Sequence, residues 1–142
     1  GITARLEAAP DLDAALAEAD IISSATMARS PVIHGDRVRP GTHVDLIGAF
    51  KADMREADDA LIGGSRLFVD SRATTLHHIG ELMMPIKAGV ITEADVLGDL
   101  YDLVPATAPA RRSADEITVY KNGGGAHLDL MIADYIAATA AG

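Results

Sequence analysis

The sequence lacks cysteine and tryptophan, and its 12 Lys and Arg residues are outnumbered by 21 Asp and Glu residues. Without cysteine the chain has no disulfide, thiolate nucleophile or zinc thiolate site, which fits a reducing cytoplasm. A formal net charge of −9 without a basic run argues against nucleic acid or an anionic membrane as a partner. No apolar run approaches the ~18 to 20 residues of a membrane span, so we expect a soluble, cytoplasmic protein.

Hydrophobic residues are abundant instead, at 49% of 142 residues, which predicts one globular domain. The hydrophobic pattern predicts strands at 2–6, 21–26, 42–49, 66–70 and 116–121. It predicts helices opened by Pro10-Asp11 (with an apolar face of Leu12, Ala15, Leu16 and Ala19), over 53–61, from Ser71 to about Met84, over 93–104, and in a closing segment. The closing helix has a predicted core face of Leu128, Met131, Ile132, Tyr135, Ile136 and Thr139.

Strands that alternate with helices predict an α/β fold, a Rossmann-like parallel sheet with helices on both faces. However, the sequence has no G-x-G-x-x-G motif, because Gly63-Gly64 precedes a strand and Gly123-Gly124-Gly125 continues with Ala126 and Leu128. The loop that grips a pyrophosphate in such folds is therefore missing from this sequence.

The segment 116–130 carries the clearest ligand signal, since a strand runs into three glycines and then a helix. Glycines at such a junction let the backbone approach a ligand, and the helix offers unpaired N–H groups. A plain tight turn and helix start explains the same pattern equally well. Ser24-Ala25-Thr26 and Gly48-Ala49 also end strands in small residues, which suggests a cleft at the carboxyl edge of the sheet.

Several motifs in one order resemble the ornithine cyclodeaminase/mu-crystallin family, and most closely its ketimine reductase branch. The matching segments are 19–26, 40–49, 53–59, 68–72, 80–82, 113–121 and the glycine-loop stretch 116–130. Members of the family are considerably longer, with a substrate and dimerisation domain and a first dinucleotide-binding βα unit. The resemblance implies that residues 1–142 are the C-terminal part of a dinucleotide-binding Rossmann-like domain, incomplete because it lacks the first βα unit and the glycine-rich loop.

The resemblance also implies cofactor contacts, which we assign only where the motifs match. Ser24-Ala25-Thr26 is similar to the family segment that contacts the dinucleotide, and Val44-Asp45-Leu46-Ile47-Gly48 to the one beside the nicotinamide. Asn122 stands at a Ser/Asn cofactor-contact position, followed by Gly123 and Gly124. The implied cofactor is NAD or NADP. The residue that would discriminate between them follows the second strand of such domains, at or before the start of this chain.

One departure from the family decides the expected chemistry. Cyclodeaminase-like members carry an aspartate after the Gly-Gly that corresponds to Gly48-Ala49, and here that position is Phe50. A phenyl ring cannot transfer the proton that amine elimination requires. Asp53 is a weak candidate for a replacement acid, although an N-cap role is the more usual one for an aspartate in this context.

The resemblance therefore implies an NAD(P)-dependent reductase of cyclic ketimine acids such as Δ1-pyrroline-2-carboxylate, homodimeric at full length. The alternatives are an ornithine cyclodeaminase and a non-enzymatic nucleotide-binding or small-ligand-binding protein like mu-crystallin. The partner that the resemblance implies for this protein is a small imino or amino acid.

Other candidate sites are weaker. The five histidines show no metal-ligand spacing, so we expect no metal site. Ser71 follows a strand but lacks the flanking glycines of a nucleophile elbow and fits a helix cap better. The pair Arg111-Arg112 fits either an anion site or a solvated loop.

Overall fold

The computed structural model describes residues 3–109 and 111–140. Within them, five short strands form one parallel sheet in the order β1-β2-β5-β3-β4. The strands are β1 (Ile21–Ser24), β2 (His43–Leu46), β3 (Arg66–Val69), β4 (Val96–Gly98) and β5 (Thr118–Lys121). The predicted α/β, Rossmann-like class is confirmed.

The helices are α1 (Leu12–Glu18), α2 (Asp59–Gly64), α3 (Arg72–Thr75), α4 (Gly80–Lys87), α5 (Leu100–Leu103) and α6 (Ala126–Ala140), with 3-10 turns at Gly35–Arg37 and Glu93–Asp95. The predicted helix after Pro10 is confirmed as α1. Asp11 caps α1, since its carboxylate accepts a hydrogen bond from the N–H of Ala14 at 3.1 Å. Of its predicted apolar face only Leu16 is buried.

One face of the sheet carries the core. Ile22, Val44, Val119 and Leu67 stand side by side across β1, β2, β5 and β3, and all four are buried. Residues of α2 and α4 belong to the same hydrophobic cluster. Because all strands are parallel, their carboxyl ends meet at one edge, which is where such sheets bind ligands.

Three predicted elements are wrong where tertiary contacts override local pattern. The strand predicted at 2–6 is absent from its described residues 3–6, which pair with no strand in the described part of the chain. The helix predicted over 53–61 begins only at Asp59, and its cap is Asp58, whose carboxylate accepts from the N–H of Leu61 at 2.8 Å. The segment 93–104 is a turn, a strand and a short helix, because the edge of β3 offers Val96 a strand partner.

The long helix predicted from Ser71 is two helices. Gly80 begins α4 with its N–H donating to the carbonyl of Lys51 at 2.9 Å, and a Cβ there would lie 2.4 Å from the carbonyl oxygen of Met54. This packing against 51–54 redirects the chain between α3 and α4. Ser71 occupies the N-cap position of α3 but makes no side-chain capping bond.

The closing helix α6 is confirmed, but its predicted core face is not a core. Met131, Ile132, Tyr135 and Ile136 are 58–69% exposed. Thr139 is also exposed, and only Leu128 is half-buried. Helical periodicity identifies which residues share a face and says nothing about what covers it. No helix in residues 3–109 and 111–140 is long and apolar enough to cross a membrane.

Candidate functional site

The ends of β1, β2 and β5 form one continuous corner of the sheet. Ser24, Leu46 and Lys121 are in register as the last residues of these strands. Beyond them, the N–H of Ile47 donates to Ser24 O at 2.8 Å, and the N–H of Asn122 donates to Leu46 O at 3.0 Å. The structure therefore brings together three segments that are far apart in sequence. We call residues 24–26, 46–49 and 121–124 the strand-end corner.

The predicted contact residues differ in what they can offer a ligand. The side chains of Val44 and Leu46 are fully buried in the core, so they cannot contact a ligand. Asp45 is half-buried on the opposite face of β2, and Ile47 is exposed. The corner is thus built mainly from backbone and small side chains, which suits a flat ligand that lies against the chain.

A buried carboxylate that the sequence analysis did not single out holds two parts of the corner. Oε1 of Glu56 accepts hydrogen bonds from Ser24 Oγ at 2.6 Å, from the N–H of Thr26 at 2.6 Å and from Thr26 Oγ1 at 2.9 Å. Oε2 accepts from the N–H groups of Gly48 at 2.7 Å and Ala49 at 3.2 Å. One side chain therefore ties the end of β1 to the end of β2.

The Glu56 side chain is inaccessible to solvent. Burial alone raises the pKa of this carboxyl, but the hydrogen bonds from Ser24 and Thr26 outweigh it and hold the pKa below its ordinary value of 4.5. Glu56 is consequently a carboxylate at neutral pH, and each oxygen faces donors on a different loop.

Two further buried charges lie behind Glu56. The carboxylate of Glu81 accepts from the N–H groups of Glu56 and Ala57, both at 2.8 Å, and burial raises the pKa of Glu81. Lys121, fully buried at the end of β5, donates from Nζ to Leu46 O at 3.2 Å, and burial lowers the pKa of its ammonium group. Leu46 O thus receives both Lys121 Nζ and the N–H of Asn122, which joins β2 to the glycine loop.

The glycine loop is held by a different carboxylate. Asp70, at the end of β3, accepts from the N–H of Gly123 at 2.9 Å and from Thr75 Oγ1 at 2.7 Å. A Cβ at Gly123 would lie 2.7 Å from Thr75 Oγ1, so this position is packed. Gly124 differs, because its φ is +76° and a Cβ there would meet nothing within 4 Å. Its N–H donates to Asn122 Oδ1 at 2.8 Å.

The two residues considered for proton transfer, Phe50 and Asp53, follow the corner segment 46–49 in the sequence. Phe50 is half-exposed, with Lys51 Nζ 5.3 Å from its ring centroid. Asp53 is no helix cap, since its carboxylate receives Arg29 Nε at 2.8 Å. The hydrogen bond from Arg29 lowers the pKa of Asp53. Asp53 is therefore an ionised partner of an arginine.

The weaker candidates have local partners. Arg111 donates to the carbonyl oxygens of Gly41 and Thr42 at 2.7 and 3.3 Å, while Arg112 pairs with Glu116 at 2.8 Å. In the described part of the chain, no three His, Asp or Glu side chains come together in a way that would hold a metal ion.

A cavity of about 600 Å³ lies beyond the end of β3. Asp70 and Ser71 line it together with Leu100, Tyr101 and Leu128. It is mostly apolar, and neither Glu56 nor the residues that Glu56 holds line it.

Sequence reasoning missed Glu56, Glu81, Asp70 and Lys121 as structural centres of the site. The sequence carried only a weak signal for these residues. All four lie in segments that resemble the family, and Glu81 stands between Gly80 and Leu82. A charged residue in an exposed loop gives the same pattern, and only the folded chain shows which carboxylates are buried.

Comparisons with known proteins show which sequences and structures this chain resembles. A relative from Paracoccus denitrificans, "Delta(1)-pyrroline-2-carboxylate reductase", is 72% identical over 142 residues, which are all of this chain and 45% of the relative. The solved structure of Thermococcus litoralis Delta(1)-pyrroline-2-carboxylate reductase in complex with NADH and L-proline superposes with a TM-score of 0.76 at 35% identity, over 80% of this chain and 35% of that one.

The iminosuccinate reductase of Paracoccus denitrificans in complex with NAD+ superposes with a TM-score of 0.78 at 35% identity, over 87% of this chain and 38% of that one. The chain thus spans less than half the length of these relatives. Residues 2–142 match the sequence profile of one family. With its parallel sheet and glycine loop, the chain belongs to the ornithine cyclodeaminase/mu-crystallin family.

Proposed function

We propose that the whole protein containing this chain is an NAD(P)H-dependent reductase of cyclic ketimine acids, with Δ1-pyrroline-2-carboxylate as the substrate class. The observation that carries the proposal is the strand-end corner, in which Ser24–Thr26, Gly48 and Asn122–Gly124 lie at one edge of a parallel sheet. Its support comes from the 72% identical relative that bears this reductase name and from related structures in complex with NADH or NAD+.

The residues of the corner fit a nicotinamide dinucleotide. Gly124 adopts a backbone conformation that favours glycine and leaves open space where a side chain would stand, so a flat ring has room against the backbone. Asn122 and Thr26 supply polar atoms that suit ribose or carboxamide groups. The cofactor supplies a hydride, and we propose that these residues hold and orient it.

The reaction needs one hydride on the imine carbon and one proton on the imine nitrogen, which converts the C=N bond to an amine. A ketimine already contains this bond, so no residue has to eliminate an amine. Phe50 at the family's aspartate position suits this simpler reaction. Asp53 is a poor proton donor because Arg29 keeps its pKa low, and we do not assign the proton to it.

The oligomeric state and location belong to the same proposal. We expect a homodimer in the cytoplasm, as the family resemblance and the absence of cysteine imply. Light scattering on the purified whole protein measures the first, and a monomeric mass would contradict it.

A chimera gives a direct test of the function. Residues 1–142 replace the matching 45% of the Paracoccus denitrificans relative, which is feasible because the two segments are 72% identical. We expect this full-length chimera to oxidise NADH or NADPH when Δ1-pyrroline-2-carboxylate is added and to form proline. A folded, cofactor-binding chimera that leaves the imine unreduced would overturn the proposal.

The isolated 142-residue chain is the matched control for the chimera. It lacks a G-x-G-x-x-G loop, so we expect weak dinucleotide binding and no reductase activity. Calorimetric titration with oxidised and reduced NAD and NADP measures this. Affinity in the micromolar range would mean that the corner binds the dinucleotide without a glycine-rich loop.

Ornithine distinguishes the reductase from a cyclodeaminase. We expect the chimera to release no ammonia from ornithine, because Phe50 cannot carry a proton. The variant Phe50→Asp restores an acid at this position and is the matched comparison. Ornithine turnover by the unmodified chimera would instead favour cyclodeamination.

A further inference from the structure

Glu56 binds Ser24, Thr26 and Gly48, which the proposed function assigns to the cofactor, yet it cannot touch the cofactor itself. Its side chain is inaccessible to solvent, and both of its oxygens are occupied by donors from the protein. The split between the oxygens is complete, since Oε1 serves only Ser24 and Thr26 and Oε2 serves only Gly48 and Ala49. Any influence of Glu56 on a ligand must therefore pass through these two loops.

The two loops are also pressed together, so their spacing is set from both sides. A Cβ on Gly48 would lie 2.0 Å from the carbonyl oxygen of Thr26 and 2.2 Å from its nitrogen. Glycine lets the backbones approach, and the shared carboxylate draws the N–H groups of both loops to one point. The backbone contact at Gly48 and the hydrogen bonds to Glu56 together fix the distance between the two loops.

Glu56 is itself firmly held. Its N–H donates to Glu81, and its carbonyl oxygen accepts from the N–H groups of Val32 and Ile33 at 2.8 and 2.9 Å. A carboxylate on so constrained a backbone is a fixed reference point. Arg55, its neighbour in sequence, adds a bond from its own N–H to Ala28 O at 2.9 Å, which ties the segment after β1 to the same strip of chain.

We infer that Glu56 is a positioning residue, which pre-arranges the ends of β1 and β2 for the cofactor by holding both loops on one buried carboxylate. This inference rests on the proposed function for the identity of the ligand. The arrangement should exist before the cofactor arrives, because all of the bonds are internal to the chain. Binding then spends little free energy on ordering these loops.

The variant Glu56→Gln in the full-length chimera tests the role. An amide replaces one acceptor with a donor, so at least one loop faces a buried donor in place of a carboxylate oxygen. We expect cofactor affinity to fall about five- to a hundredfold, because binding must then order the two loops that the carboxylate of Glu56 otherwise orders in advance. The KM for the cofactor should rise more than the KM for the imine. Glu56→Asp keeps the charge but shortens the side chain, and it should recover part of the affinity.

Asp58→Asn is the matched control. Asp58 also accepts backbone N–H bonds, from Leu61 at 2.8 Å and Gly35 at 3.0 Å, but it does so at the start of α2 and touches no corner residue. We expect this variant to lose stability and keep its cofactor affinity. If both Glu56 variants fold and bind the cofactor as tightly as Asp58→Asn and the unmodified chimera, then Glu56 only stabilises the fold and the inference is overturned.

Amide hydrogen exchange on the unmodified chimera tests the same idea without any variant, and so covers the case in which Glu56→Gln does not fold. The N–H groups of Thr26, Gly48 and Ala49 should be protected before cofactor is added. Rapid exchange at all three that slows only with NADH would contradict pre-arrangement. A chimera that binds NADH but reduces no imine would refute the proposed substrate, while cofactor affinity and amide exchange would still test the role of Glu56.

Discussion

Two buried carboxylates hold the site, and they do so in different ways. Glu56 is closed, because two loops and five donors surround it and no ligand can reach it. Asp70 holds the glycine loop from one side only, through the N–H of Gly123, and the loop then continues outward to Gly124. The loops after β1 and β2 are therefore held together on the buried side, while the loop after β5 is open on one side.

The difference shows how one site combines order with access. Hydrogen bonds to a buried carboxylate are short and charge-assisted, so they fix a backbone well, but they also occupy every polar atom involved. The open loop keeps space beside Gly124, where a ring could lie. The proposed cofactor contacts therefore include both a fixed surface and an open one.

The largest loss of stability should come from adding a side chain at Gly48, where the loops after β1 and β2 meet. In Gly48→Ala the new Cβ meets backbone atoms of Ala25 and Thr26 at 2.0–2.7 Å, and backbone cannot turn aside as a side chain can. We expect a loss of about 3 kcal/mol or more in the free energy of unfolding. Chemical denaturation of the chimera measures it.

Gly64→Ala is the matched control for this variant. Gly64 ends α2, and a Cβ there meets nothing within 4 Å. Alanine is the better helix former, so we expect no loss, or a gain of up to about 1 kcal/mol. Equal losses in the two variants would mean that the close contact between the loops is absent.

A smaller loss is expected where the open loop is anchored. Asp70→Asn leaves one of the donors Ser71 N, Thr75 Oγ1 or Gly123 N facing an amide NH2 group, at a cost of about 1 to 3 kcal/mol. Amide exchange at Gly123 should accelerate as well. Asp36→Asn, at an exposed position, should change stability by about 0.5 kcal/mol or less. Unchanged exchange at Gly123 would show that Asp70 does not hold the loop.

The two buried glutamates should respond to pH in opposite directions. Glu56 has a lowered pKa, so its contribution to stability is present above its ordinary value of 4.5 and is lost as the pH falls through its pKa in the folded chain. Glu81 has a raised pKa, because burial outweighs the backbone hydrogen bonds and the nearby Lys121. Its contribution is fully present below 4.5 and is lost as the pH rises through its folded pKa.

Melting curves from about pH 3 to about pH 8 test this prediction. The difference in melting temperature between the unmodified chimera and Glu56→Gln should become smaller as the pH falls. The corresponding difference for Glu81→Gln should become smaller as the pH rises above 4.5. Parallel pH profiles for the two variants would contradict the assignment of opposite shifts.

The smallest effect should be that of Asn122. Its Oδ1 accepts the N–H of Gly124 in an exposed loop, so Asn122→Ala should barely change the melting temperature of the unliganded chimera. Loss of one polar contact typically costs about 0.5 to 1.5 kcal/mol, which corresponds to about two- to tenfold weaker cofactor binding.

Asn122→Ser is the control, because a serine hydroxyl can accept the same backbone bond. It should retain most of the affinity. If Asn122→Ala lowers unliganded stability and leaves the affinity unchanged, then Asn122 only shapes the turn.

The sequence predicted the parts of this architecture that depend on local pattern. The strands that became β1, β2, β3 and β5 were predicted at their observed places, and the glycine loop and α6 follow β5 as expected. Because parallel strands end at one edge, the sequence placed Ser24, Gly48 and Asn122 at a common edge, but only the structure shows that β5 lies next to β2.

The segments that failed depend on contacts with distant residues. The segment 93–104 has helical spacing, yet Val96 becomes a strand because β3 offers it backbone partners. Residues 53–58 stay non-helical because the backbone of Glu56 is bonded to Glu81 and to 32–33 instead of to its own neighbours. Local propensity is worth a few tenths of a kcal/mol per residue, and such contacts outweigh it.

By itself, then, the sequence determined the fold class, the strand ends and the family, since each follows from periodicity, glycine placement and ordered motifs. Only the tertiary structure decided that Glu56, Glu81 and Lys121 are buried together and that the apolar face of α6 is exposed. The reason is physical. Periodicity describes one element at a time, whereas the burial of a charge depends on which distant N–H groups fold around it.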